Sequence, residues 1–263
     1  MKKIMLKRLV LLSVVILFLV PNTGQGRKRF KKGGYQKKVK IIGGIKFVLI
    51  RGGSFQMGSA KRRGYFSERP MHKVKVSSFW MGKFEVTQKQ YKKIMGSNPS
   101  SFKGRNNPVE QVSYYDALEF CKKFSTRYGV NVRLPREAEW EYACRAGKKG
   151  AYYWGKKIND RYCWYNLNSR DETRPVGKKR PNRWGLYDMS GNVYEWCGDW
   201  YDDHYYKTSQ ADNPVGPEKG KSKVIRGGSW SSNKYNLRSA FRTPFNPSKK
   251  NFYIGFRLVL PIN

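Results

Sequence analysis

Arg226-Gly227-Gly228-Ser229-Trp230 and, close to the end of the chain, Gly255-Phe256-Arg257-Leu258-Val259 are the stretches on which the fold reading turns. Consecutive glycines allow positive φ where a chain bends sharply, and the tryptophan that follows reads as a core anchor. Arg257 is expected to be buried against a carboxylate, because one guanidinium can satisfy several acceptors. Upstream, Gly185-Leu186-Tyr187-Asp188-Met189-Ser190-Gly191-Asn192-Val193-Tyr194-Glu195-Trp196 sets a glycine-containing loop between two acids, and no cysteine follows Cys197.

Outward from these stretches the pattern is mixed. Residues 45–50 lead through Gly52 and Gly53 into residues 54–58, a strand, turn and strand by alternation, and residues 74–81 alternate again. A first helix is predicted from an N-cap at Thr87 through Met95 to a stop at Gly96. A second follows Ser113, with Asp116 three residues on as a capping-box variant. Its apolar face is read as Ala117, Leu118, Cys121, Phe124 and Tyr128. A third is predicted to open at Pro135, suited to a first helical turn, and to run to Gly147. The remainder reads as loop, with short strands near 224–226 and 254–260. No internal repeat is present, and residues 42–263 are expected to form one domain.

Several segments occur in register: Gly53-Ser54-Phe55-Gln56-Met57-Gly58, Glu85-Val86-Thr87-Gln88, Asn107-Pro108-Val109-Glu110-Gln111-Val112-Ser113, and Leu134-Pro135-Arg136-Glu137-Ala138-Glu139-Trp140. Together with the stretches above, over residues 47–261, they resemble the formylglycine-generating enzyme family, also called sulfatase-modifying factor domains. The resemblance implies an α+β fold, an irregular C-type-lectin-like architecture with little regular secondary structure. Catalytic members of that family carry two cysteines just beyond the Gly-Gly-Ser-aromatic turn, which bind copper and oxidise a cysteine of a client sulfatase. Here the matching stretch is Ser231-Ser232-Asn233-Lys234-Tyr235-Asn236-Leu237-Arg238, without a thiol. Copper is therefore not expected, since that soft metal needs thiolates. Iron chemistry would need a histidine-rich site, and the chain holds only His72 and His204.

The resemblance further implies calcium, held by the side chains of Asp188 and Glu195 and the carbonyls of Gly191 and Val193, because a hard cation takes oxygen ligands. The competing reading is that these two acids cap turns or pair with arginine. The C-terminal segment also resembles that of variable proteins encoded by diversity-generating retroelements, in which it forms the ligand surface. Ser231, Ser232, Asn233, Tyr235, Asn236, Phe245, Asn246, Phe252 and Tyr253 are the expected contact residues. Tyr and Phe supply area at low entropic cost, while Ser and Asn adapt their hydrogen bonds. A non-catalytic binding or accessory protein is the reading that follows, with a cysteine-oxidising oxidoreductase as the alternative.

Fifty-four basic against 18 acidic residues give a net charge of +36, a field that favours polyanions. Lys2, Lys3, Lys7 and Arg8 before the apolar run 9–20 fit a secretory signal or an uncleaved anchor over residues 1–26. Residues 27–41 read as a basic flexible arm, suited through 27–40 to an anionic membrane or wall. An exported chain rarely meets nucleic acid, so a protein or cell-surface polyanion is the expected partner, and a monomer the expected state. Four cysteines allow disulfides outside the cytosol, although Cys121 and Cys144 fit buried free thiols on helices.

Overall fold

The computed structural model describes residues 38–262. The expected signal over 1–26, and the arm up to residue 37, lie outside the described residues. Among the described residues no helix is long and apolar enough to cross a membrane.

In chain order the elements are β1 (Val39–Ile42), β2 (Ile45–Ile50), β3 (Gly53–Met57), β4 (His72–Val76), β5 (Phe79–Gly82), α1 (Gln88–Met95), α2 (Tyr114–Tyr128), α3 (Glu137–Arg145), β6 (Tyr194–Trp200), β7 (Lys223–Arg226), β8 (Arg242–Phe245), β9 (Ile254–Gly255) and β10 (Val259–Pro261). One sheet runs β1-β2-β5-β10, so the first and last strands share it; β3 and β4 form a separate pair; the third sheet runs β8-β7-β6-β9. Within it β6 pairs parallel with β9 and antiparallel with β7. Residues 146–193 contain neither helix nor strand. The architecture is α+β with little regular secondary structure, as the sequence led us to expect.

Local chemistry sets the helix ends. The Thr87 hydroxyl accepts from the Gln90 amide, the Gln90 side chain accepts in return from the Thr87 amide at 2.9 Å, and Gly96 closes α1 at φ +84. Ser113 and Asp116 make the same reciprocal pair at the start of α2. Two helix expectations need correction. Leu118 is exposed on α2, and Phe120 takes its place in the core, because residue 118 lies roughly 100° around the helix from Ala117. The third helix begins at Glu137 rather than Pro135. The Pro135 carbonyl accepts the Gly198 amide at 2.9 Å, which ties that residue to β6, and the helix stops at Arg145 with Ala146 in the left-handed region. A strand also occupies Val39–Ile42, paired to β2, so the arm predicted to reach residue 41 gives way to paired backbone at Val39.

All nine residues of α3 are buried, including Glu137, Glu139, Glu141 and Arg145. An interior helix bearing charge needs partners. Glu137 takes both guanidinium arms of Arg242 at 2.7 and 2.8 Å. Glu141 accepts Arg145 at 2.8 Å and pairs with Arg226. Burial is lopsided: nine of the 18 acidic side chains are buried, against five basic ones among the described residues. All four cysteines are buried and free, so none of the permitted disulfides forms.

Candidate functional site

The loop at 188–193 is set by backbone conformation. Asp188, Gly191 and Asn192 lie at φ +54, +84 and +67. A side chain at Gly191 would meet the Trp164 carbonyl at 1.9 Å, so only glycine fits there. The Gly191 amide donates to Gly227 and the Asn192 amide to Trp164, locking the loop between two neighbours.

Three buried carboxylates gather around it. Glu195 takes both arms of Arg257 at 2.6 Å and the Trp140 indole at 2.8 Å. Arg257 also donates to the carbonyls of Gly82 and Tyr187, so its predicted burial against a carboxylate is realised. Asp188 accepts the Gly177 amide at 2.7 Å on Oδ2, while its buried Oδ1 has no partner. Glu85, which the sequence reading quoted in a motif without giving it a role, accepts Asn192 at 2.7 Å and the Val193 amide at 3.2 Å. Burial first, and then the negative charges of Asp188 and Glu195, push Glu85 well above the usual carboxylate range. Burial likewise pushes Asp188 up to about 6.

Whether these residues suit calcium can be judged from the oxygens. An ionised carboxylate offers about four lone-pair positions, and Glu195 has given three of them to Arg257 and Trp140. Asp188 keeps a whole oxygen, and no hydrogen bond among the described residues ends on the Gly191 or Val193 carbonyl. Asp188 Oδ1 and the Gly191 and Val193 carbonyls are thus oxygens without a hydrogen-bond partner among the described residues, the donor type a hard cation takes, and Glu195 has one position left.

The second assembly is a polar pocket of about 320 Å³ beside β7 and β8. Ser231, Ser232, Asn233, Asn236, Phe245 and Tyr253 line it, together with Tyr194 and Ile225. The Tyr194 hydroxyl accepts from Ser232 at 3.2 Å and Asn236 at 3.3 Å. Tyr194 packs edge-on against Tyr253, with ring centres 5.9 Å apart. Gly227 and Gly228 take φ +96 and +74, as the double glycine implied. Trp230 is buried and donates to the Phe252 carbonyl at 3.2 Å. Three of the nine expected contact residues lie elsewhere. Tyr235 lines a different cleft, Phe252 packs on Trp230 at 5.8 Å, and Asn246 caps its own turn through the Ser248 amide. Tyr194, Ile225 and Pro244 line the pocket without having been expected there; Tyr194 sits inside the quoted 185–196 stretch, but nothing in that stretch points its ring toward residues 231–236.

No thiol lines the polar pocket. Burial pushes Cys121, Cys144 and Cys163 up to about 12 and Cys197 well above the ordinary thiol range. They are therefore protonated near neutral pH, whereas the thiolate is the metal ligand and nucleophile. Cys144 leans on the Met189 carbonyl and the Ser239 hydroxyl.

Residues 37–262 match the Sulfatase-modifying factor enzyme 1-like domain. The chain is 31% identical to a "Chaperone protein LppX" of Paenibacillus barcinonensis over 81% of its own length and 88% of that protein's. It is 36% identical over 82% of its length to a "Serine/threonine-protein kinase pkn1" of Chlamydia pneumoniae, of which it spans only 38%. A formylglycine-generating enzyme of Streptomyces coelicolor is 29% identical over 80% of this chain and 87% of the enzyme. Among solved structures, Treponema denticola variable protein 1 superposes with a TM-score of 0.77 at 30% identity, covering 86% of this chain and 99% of that one.

Proposed function

Because this chain belongs to the sulfatase-modifying factor family, we propose that it uses the family's scaffold as an exported, non-catalytic binding or accessory domain. The polar pocket is the contact surface. One observation carries the reading: the pocket is lined by hydroxyls, amides and aromatic rings, and every cysteine of the chain is buried away from it. Oxidation of a client cysteine through copper would call for thiolates facing the substrate. The pocket instead offers the Tyr194, Ser231 and Ser232 hydroxyls and the Asn233 and Asn236 amides, groups that recognise polar side chains or backbone of a protein partner.

In this reading calcium sits at the Asp188 loop, held by Asp188 and the Gly191 and Val193 carbonyls, and offsets the surplus negative charge of Glu85, Asp188 and Glu195. Its service is structural: it fixes the turn from which Tyr194 enters β6. The basic exterior supplies long-range attraction to a cell-surface polyanion.

The test is incubation of the purified protein with copper, oxygen and a cysteine peptide of sulfatase type, followed by mass spectrometry. An unchanged thiol is expected. Appearance of formylglycine overturns the proposal in favour of the oxidase, the activity named for the Streptomyces relative.

A further inference from the structure

A cleft of about 910 Å³ and the polar pocket are joined by one short turn: Tyr235 lines the cleft while its neighbour Asn236 lines the pocket. We propose that this cleft is a binding site for a small organic anion with a flat aromatic body.

The volume lies near the top of the range typical for small-molecule sites. Its inner wall is aromatic, with Phe55 and Tyr142 at a ring separation of 5.3 Å. Three large apolar side chains stand exposed around the mouth, Tyr65 at 50%, Met71 at 45% and Tyr235 at 56%. Rings in such a setting take up a flat guest by offset or edge contact.

The charge around the cleft has one sign. No residue lining it is acidic. Arg145 and Arg238, which reach its wall, are already neutralised from behind by Glu141 and by a two-armed pair with Glu68 at 2.6 Å. Arg63, Lys148 and Lys149 also line it, and no ion pair among the described residues engages any of them. Three uncompensated cations in the lining select an anion, and the rings offer a flat surface for its apolar body. This site is independent of the contact surface proposed above.

Calorimetric titration of the full chain with 2-naphthoate, against neutral 2-naphthamide, tests it. One naphthoate per chain is expected, at least tenfold tighter than the amide and weakening as salt rises. The double charge reversal Lys148→Glu/Lys149→Glu, at exposed positions that leave the fold intact, is expected to lower naphthoate affinity at least tenfold. Tyr235→Ala is expected to weaken naphthoate and naphthamide alike. Equal affinity for the amide, or affinity unmoved by the charge reversal, or affinity unmoved by Tyr235→Ala, overturns the proposal.

Discussion

Two buried groups of charge touch Trp140, and they are balanced differently. In one, Glu137 and Glu141 face Arg145, Arg226 and Arg242, with the Arg226 guanidinium 5.2 Å above the indole ring. In the other, reached by the indole N–H, three carboxylates share one buried guanidinium, Arg257, with Lys179 acting weakly on Asp188 from further out. The first has a guanidinium for each acid, and Glu137 is held below the usual range despite its desolvation, chiefly by Arg242. The second has acid to spare, and interior negative charge without a partner either takes up protons or takes up a cation. Pairing marks framework, and surplus marks a place for something else.

The harshest way to break that contrast is Arg226→Met. Removing one member of a buried pair leaves an uncompensated charge, so a loss of about 3–5 kcal/mol in chemical denaturation is expected. A loss below about 1 kcal/mol would deny the balanced group its framework role. Next comes calcium. Millimolar calcium against a chelator is expected to raise the thermal midpoint of the native chain and leave Asp188→Asn unmoved. A hundredfold excess over the dissociation constant corresponds to about 2.7 kcal/mol. A native chain indifferent to both additions would reduce the acidic group to a proton-sharing cluster.

A smaller effect comes from Glu110, buried outside both groups. It accepts the Phe102 amide at 2.9 Å, its other oxygen has no partner, and burial pushes it up to about 7. Its folded value lies above the unfolded 4.5, so the folded state binds more protons between those limits and stability falls as pH rises through the window. Glu110→Gln is expected to flatten that part of the profile by about 1–2 kcal/mol in midpoint measurements between pH 4.5 and 7. An unchanged slope would show that surplus acid is accommodated here without cost, which would weaken the argument for a cation at Asp188.

The parts legible in the sequence were those governed by local chemistry. Thr87, Ser113, Gly96 and the double glycine announce their own geometry, and α1 and the start of α2 follow from them. Pro135 misled because a long-range bond to Gly198 outweighed its suitability for a first helical turn. β6 left no alternating trace, since nearly all of Tyr-Glu-Trp-Cys-Gly-Asp-Trp is buried on both faces. β1 hid in a lysine-rich run because its residues are mostly exposed. At the site, the resemblance named Asp188 and Glu195 together, but only the fold puts Glu195 on β6, brings Glu85 to the loop from residue 85, and reveals that Arg257 has already claimed Glu195. Six of the nine contact residues converge because β7, β8 and the turn at 231–236 enclose one pocket; Tyr235 and Asn236, adjacent in sequence, face opposite cavities.

The lopsided burial of charge has an outcome for how this domain meets its surroundings. With half of its acids inside and most of its described lysines and arginines outside, the rind of the molecule is more basic than its composition. At physiological ionic strength an approaching body senses charge over about 8 Å, so the exposed lysines and arginines, more than the buried acids, set what it meets. Retention of the protein on an anionic matrix is therefore expected to fall as salt rises.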